Sequence, residues 1–391
     1  MITLSSSKIN DIHKKMIFRF IWEEGKVSRS QIGKVFGLSK STVSGIVREL
    51  IEEGLIVENG WKNSSGGRRS ELLSLNPCGP LILSVFLKDG GEGEVAVINL
   101  LGTVLDKRHF YLSSKEDAKE TAIKISSFLR VFLSSYSETC FLGIGLGVPG
   151  IVDHKQGRIS YSAHLGWREV PLSKMIISYL PTNLPLIISN RTIAATLGEM
   201  WFGKGKETQN FICINSGEAV GAGIVIDGHV YRGLRGGAGE VGHVALLPGE
   251  KVCSCGKRGC IESAISLYSL MKELGEEYQG ETASADFLRE RKNDLRIQEL
   301  LYNAFSLIGE LSALLINVLA PEKIILTGEM ARIDPENLLR LVRKEVGEKA
   351  LELLADGVEI EVSNLDREQE VLWGAALVME NIFSLPHLSK K

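Results

Sequence analysis

Cysteine and proline are scarce here, at six and ten among 391 residues. Six thiols are too few to frame a chain of this length with disulfides, and so little proline excludes a collagen-like repeat. Long apolar runs are also missing. The longest lies near Leu311 to Ala320, short of the ~20 residues that a membrane helix needs. The opening MITLSSSKINDIHKK has no apolar core followed by a cleavage site, so the sequence predicts no signal peptide and a cytoplasmic protein. Charge of one sign is lacking too: 45 Lys+Arg meet 48 Asp+Glu for a net of −3, and 44% of residues are hydrophobic, which excludes a disordered chain. The length predicts two or three domains.

The near-neutral total hides an asymmetry. Residues 1–76 carry 12 Lys+Arg against 8 Asp+Glu, a net of +4, and the remainder carries 33 against 40, a net of −7. A cationic head suits a phosphate backbone, because neutralising phosphates releases counterions; an acidic body adds little such affinity. Within the head, apolar residues from Ile9 to Ile21 recur at three- and four-residue spacing, predicting a helix over 8–24 that Gly25 ends. Ser28 and Gln31 form a capping-box pattern opening a second helix to Phe36, and Gly37 supplies a turn. A third helix from Ser39 buries Val43, Ile46, Val47, Leu50 and Ile51 and presents Lys40, Ser41, Thr42, Ser44 and Arg48. That order reads as a helix-turn-helix with the small polar and basic side chains of a recognition helix. Two strands, 55–58 and 72–75, then make a wing whose tip offers Arg68 and Arg69 to a narrow minor groove.

After the breaker-rich 76–80, strand runs alternate with helical segments, which predicts an α/β body of two strand-rich halves with a cleft between them. Predicted strands are 81–86, 95–100, 141–148, 186–189, 211–215, 223–226 and 323–326. Predicted helices are 117–136, 193–200, 263–274 and 297–319, the last a candidate for subunit packing or for internal core. Cys253, Cys255 and Cys260 crowd together, which suggests metal rather than oxidation. With His243 they supply three sulfurs and one nitrogen, a complement that fills a tetrahedral structural zinc site and leaves no open position for catalysis.

The segments GLGVPGIVD (145–153), GAGIVIDGHVYRG (221–233), GGAGEVGH (236–243), CSCGKRGCIE (253–262) and WGAA (373–376) resemble the ROK family of bacterial sugar kinases and sugar-responsive repressors. The resemblance covers nearly the whole chain, and a winged helix ahead of such a body resembles the repressor branch. It implies a two-lobed, actin-like (ribonuclease H-like) ATPase fold over 77–391 behind a DNA-binding domain over 1–76. It further implies a structural zinc on His243, Cys253, Cys255 and Cys260, and sugar hydroxyls held by Asn190, Glu240, His243 and Glu262.

The resemblance departs where phosphoryl transfer has its requirements, a phosphate cradle and a base. The D-x-G-G-T element reads Leu87-Lys88-Asp89-Gly90-Gly91 or, in a shifted alignment, Asp89-Gly90-Gly91 followed by Glu92, and the second cradle places Glu218 where phosphates would be repelled. The element carrying the catalytic aspartate reads Ser189-Asn190-Arg191, and a guanidinium cannot act as a general base. The nucleotide-side glycine element reads Thr327-Gly328-Glu329. These departures predict a kinase scaffold kept for binding: no enzyme, but a sugar-responsive repressor that meets operator DNA as a homodimer or homotetramer, as a two-fold operator requires. Arg191 is expected either in the sugar pocket, where it leaves pentose, hexose, inositol and acidic sugars open, or paired with Glu218 or another local acid and away from the ligand. Two rivals stand beside this reading, an active sugar kinase with a regulatory head and a DNA binder controlled by a protein partner.

Overall fold

The computed structural model describes residues 6–61, 71–88, 91–113, 117–162, 165–247, 251–275 and 284–385. In the head, helix Ser6–Glu24 buries Ile17, Phe18 and Ile21. The second helix, Arg29–Phe36, opens on the reciprocal cap: the Gln31 amide donates to Ser28 Oγ (3.3 Å) and the Ser28 amide to Gln31 Oε1 (3.0 Å). Gly37, left-handed at φ 64°, closes it, a conformation that costs glycine little. The recognition helix Lys40–Glu52 starts on a Ser39 cap and buries Val43, Ile46, Val47 and Leu50. Strands Ile56–Trp61 and Glu71–Leu75 pair antiparallel as the wing, and Val27–Ser28 pairs with the second of them. The wing tip, with Arg68 and Arg69, lies outside the described residues.

The body contains the same five-stranded pattern twice. One sheet runs in the order Leu186–Asn190, Phe141–Val148, Leu81–Leu87, Glu92–Asn99, Val104–Tyr111; the other runs Glu359–Val362, Lys323–Thr327, Phe211–Ser216, Val220–Ile226, His229–Tyr231. In each, a three-stranded antiparallel meander is extended by two parallel strands. A flap of three short strands, Ile151–Asp153, Arg158–Ser162 and Trp167–Val170, rises from the first lobe.

Two helices form the layer between the lobes: Arg191–Phe202, hereafter the cleft helix, and the C-terminal helix Leu372–Phe383. Both contribute to one apolar core that also takes in Ile82 and Phe86 of the first sheet, Phe211 and Val225 of the second, and Ile17, Phe18 and Ile21 of the head. Gly145 lets this layer close tightly, since a Cβ there would sit 1.8 Å from the Gly374 carbonyl oxygen.

Several expectations are corrected. The predicted helix 263–274 is two, Glu262–Ile265 and Leu267–Leu274, because Ser266 leaves the helical conformation to cap the second. Helix Leu295–Leu319 meets the length and composition of a membrane span, yet it packs into the second lobe's core through Ile297, Leu301, Phe305, Ile308 and Ile316. The internal-core alternative is the one observed for most of its length, and Leu295, Tyr302, Leu314, Val318 and Leu319 are the apolar residues it leaves exposed. Strand Val104–Tyr111 and helix Pro335–Lys349 were not anticipated.

Candidate functional site: an inter-lobe cleft and a DNA-facing helix

A cavity of about 300 Å³ lies between the lobes, and all five predicted sugar residues line it: Asn190, Arg191, Glu240, His243 and Glu262. Strand Leu186–Asn190 runs straight into the cleft helix, so Asn190 caps that helix, with Oδ1 accepting from the Ile193 amide at 2.8 Å. Arg191 and Thr192 follow as its first turn. On the opposite wall, Gly239 (φ 82°) packs so closely on the neighbouring strand that a Cβ would lie 1.7 Å from the Ala222 carbonyl oxygen. That glycine brings Glu240 and His243 to the cavity. Glu262 is buried; its Oε2 accepts from the Val220 amide (3.0 Å) and its Oε1 from Ser254 Oγ (3.3 Å).

Burial in the cleft pushes the Glu240 carboxyl above its ordinary range, an effect that His243 opposes and Glu262 reinforces. Glu240 as a whole remains exposed at the cavity, where hydroxyls can donate to its carboxylate. Sequence reasoning missed Tyr161, Asn215 and Ser254, which also line the cavity. No motif marks Tyr161, which the flap brings in and over whose ring the Arg168 guanidinium lies at 4.7 Å.

Next to the cavity, ligand atoms of His243, Cys253, Cys255 and Cys260 all lie within 4.8 Å of one another, a group that could hold a metal ion. The Cys253 Sγ to His243 Nδ1 distance is 3.6 Å and the Cys255 to Cys260 Sγ distance 3.7 Å. Tetrahedral zinc, with bonds of about 2.3 Å to sulfur and about 2.0 Å to nitrogen, sets its ligands about 3.5 to 3.8 Å apart, so the donor set fits. Burial and the neighbouring thiols push Cys260 up to about 12, a tendency that a bound dication would reverse. His243 Nδ1 faces the sulfurs while the residue lines the cavity, so the metal group and the cavity share a side chain.

The other side of the cleft is ionic. Lys88 lies 3.2 Å from Glu92, 3.6 Å from Glu94 and 4.0 Å from Glu370. Arg367 reaches both Glu92 and Asp286 at 3.3 Å, and Arg332 meets Glu370 at 2.8 Å. Burial and the Glu370 charge raise Glu329, while Arg367, Arg191 and Lys88 lower it. Arg191 therefore feels an acid beside the cavity as well as facing the cavity. Asp89 lies outside the described residues.

On the head, Lys40, Ser41, Ser44 and Arg48 are exposed, and Lys40, Ser44 and Arg48 recur every four residues along one face of the recognition helix. Thr42 is half-buried, and its hydroxyl is 2.9 Å from Ser39 Oγ in the cap. The Arg29 ion pairs with Glu58 and Glu71 brace the second helix against both wing strands.

Comparison with known proteins agrees with this geometry. Residues 10–57 match the winged helix-turn-helix DNA-binding pattern and residues 89–381 the ROK family. A putative xylose repressor of Caldicellulosiruptor sp. (strain Rt8B.4) is 33% identical, covering 97% of this chain and 98% of its own. A glucokinase of Halalkalibacterium halodurans is 30% identical over 73% of this chain and 92% of its own. The crystal structure of a ROK family transcriptional regulator, a homolog of the E. coli MLC protein, superposes with a TM-score of 0.82 at 26% identity, covering 96% of this chain and 97% of that one. With its family pattern spanning both lobes and its DNA-binding pattern ahead of them, the chain belongs to the ROK family.

Proposed function

We propose that the protein is a sugar-responsive transcriptional repressor of carbohydrate-utilisation genes, in which the winged head binds operator DNA and the cleft binds the effector without phosphorylating it. One observation supports this reading: Asn190, Glu240, His243 and Glu262, the residues that the family resemblance implies for sugar hydroxyls, line one cavity together with Arg191, which stands where that resemblance expects the kinase base. A guanidinium stays protonated and cannot take the hydroxyl proton that phosphoryl transfer releases. The acids Glu329, Glu370, Glu92 and Glu94 on the ionic side would also repel a triphosphate.

The cavity volume suits one monosaccharide. An aldopentose is the first candidate, since a relative across the full length is named a putative xylose repressor. Arg191 would then stand where a hexose carries its primary hydroxyl. A structural zinc on His243, Cys253, Cys255 and Cys260 would hold the segment that presents Glu262. The DNA contacts are assigned to Lys40, Ser41, Thr42, Ser44, Arg48, Arg68 and Arg69, acting in a cytoplasmic homodimer or homotetramer on a two-fold operator.

The test combines two assays on purified protein: coupled detection of ADP with a panel of neutral and acidic sugars, and fluorescence anisotropy on a duplex enriched by the protein from a random pool. The expected result is no sugar-dependent ATP turnover, with loss of DNA binding on addition of one sugar, D-xylose first. Sugar-dependent turnover would establish the kinase reading instead. Equal sugar binding by wild type and Arg191→Ala would remove Arg191 from the ligand account.

A further inference from the structure

The cleft helix has two ends with different company. Its first turn, Asn190, Arg191 and Thr192, is part of the cavity wall. Its last turn carries Trp201, whose ring centroid lies 4.8 Å from that of Trp22 on the head's first helix. The Arg19 guanidinium lies over the same Trp201 ring at 5.4 Å, and Lys206, just beyond the helix, lies over Trp22 at 4.9 Å. Twelve residues at about 1.5 Å each separate cavity from head by about 18 Å of helix.

Nothing along that length leaves room to bend. Every residue from Ile193 to Trp201 is buried. A Cβ at Gly198 would lie 2.3 Å from Trp373, and one at Gly223 would lie 1.7 Å from Thr196 Oγ1. Glu199, wholly buried, accepts from the Lys204 amide at 3.0 Å and is bonded to Ser363. Close-packed interiors transmit a displacement rather than absorb it. Trp201 Nε1 also donates to Glu380 at 3.2 Å, and Phe383 on that same C-terminal helix stacks on Phe18 of the head, with centroids 3.7 Å apart. The two inter-lobe helices therefore end together under the head's first helix.

That first helix in turn touches the recognition helix. Lys14 is paired with Glu49 and Glu53, and Asn10 donates to Glu49 at 3.4 Å. We propose that the cleft helix is the rod that couples the effector cavity to the DNA-binding head, and that the Trp201–Trp22–Arg19 contact is its output joint. The proposal rests on the sugar-responsive reading above. Ligand contacts at Asn190 and Arg191 reposition the N-terminal turn; the helix moves as one body, and the aromatic joint re-aims the first helix and with it Lys40 to Arg48. Trp22 and Arg19 are positioning residues in this scheme, since they touch neither sugar nor DNA. The coupling is reciprocal, so DNA bound at the head must be felt at Asn190.

The test uses full-length wild type, Trp22→Ala and Trp22→Phe. Calorimetry with D-xylose reads the cavity, anisotropy on the enriched duplex reads the head, and hydrogen exchange of residues 191–201 with and without that duplex reads the rod independently of any sugar. The expected outcome for Trp22→Ala is sugar and DNA affinities each within about threefold of wild type, with the sugar-dependent change in DNA affinity reduced at least fivefold. Trp22→Phe, which keeps a ring at the joint, retains most of it. DNA-dependent protection of residues 191–201 appears in wild type and is lost in Trp22→Ala. A full sugar response in Trp22→Ala, or no protection change in wild type on binding DNA, overturns the rod. Absence of any sugar response in wild type, with the DNA-dependent protection present, sinks the choice of effector and leaves the rod standing.

Discussion

Replacing Cys255 with serine tests whether the metal group organises the cavity. Among its described residues, the segment between Val244 and Ile261 contains two isolated bridges, Ala245 with Cys260 and Val252 with Arg258, and no regular helix or strand. Its order depends on something else. A cross-link from His243 to Cys260 closes a loop of about 18 residues, and loop-closure entropy for such a link is on the order of 3 kcal/mol. That segment leads directly into Glu262, which bonds Ser254 and Val220 at the cavity. Even the outer partners of metal ligands typically change metal affinity or activity by about 10- to 100-fold, so losing a ligand that orders the segment before Glu262 is set at that order for the sugar as well. The expected outcome is one zinc per wild-type chain by mass spectrometry, strongly reduced zinc in Cys255→Ser, and a 10- to 100-fold weaker sugar Kd by calorimetry. Cys255 is exposed, so the substitution leaves the lobe cores intact. Metal-free wild-type protein that binds sugar normally, or a Cys255→Ser chain with unchanged Kd, refutes the reasoning.

Asn190→Asp separates two roles: the aspartate still caps the cleft helix, so the melting temperature stays within a degree or two, while loss of the amide donor weakens sugar binding at least tenfold. Asn190→Ala costs about 1 kcal/mol of stability in addition, measured by denaturant melts. On the head, Lys40→Ala and Arg48→Ala each lower DNA affinity and reduce the slope of log K against log salt by about one, and Arg68→Ala with Arg69→Ala reduces it by about two. An unchanged slope for the double variant means that the wing makes no phosphate contact. Glu199 has a folded-state pKa raised by burial, so its contribution is fully present below the ordinary glutamate range and is lost as pH rises through the raised value. Glu199→Gln is therefore expected to flatten the decline in stability above about pH 4.5, and an identical decline in both proteins would count against a buried titrating Glu199.

What was legible in the sequence follows the strength of local signals. The Ser28 cap, the Gly37 turn and the buried face of Lys40–Glu52 are set by neighbouring residues, and each formed where the pattern placed it. Strand Phe141–Val148 is a continuous apolar run buried on both faces and was placed to the residue. Strand Val104–Tyr111 was missed because it is an edge strand, with Asp106, Lys107, Arg108 and His109 in its middle and Phe110 its one fully buried side chain. Helix Pro335–Lys349 has a polar composition, and its burial depends on packing against Leu295–Leu319, which is tertiary information. The residues carried by motifs line one cavity, and Tyr161 joins them on a flap whose position no local pattern specifies.

The ionic side of the cleft holds the two lobes together through paired charges. Lys88, Glu92 and Glu94 come from the first lobe, and Asp286 and Arg332 come from the second. Arg367 and Glu370, which lie between the last strand and the C-terminal helix, pair with both sets. Each exposed pair is worth no more than about 1 kcal/mol, yet Lys88, Glu94 and Glu370 are buried, where removing one partner strands the other's charge. The network thus ties the lobes without any ligand on that side. The opposite side carries the cavity and the His243, Cys253, Cys255 and Cys260 group, with no comparable lattice of ion pairs among its described residues. On the rod proposal, a ligand in the cavity would act against lobes already tied on the ionic side, and the cleft helix, which runs from the cavity to Trp22 of the head, is the element that would carry its displacement.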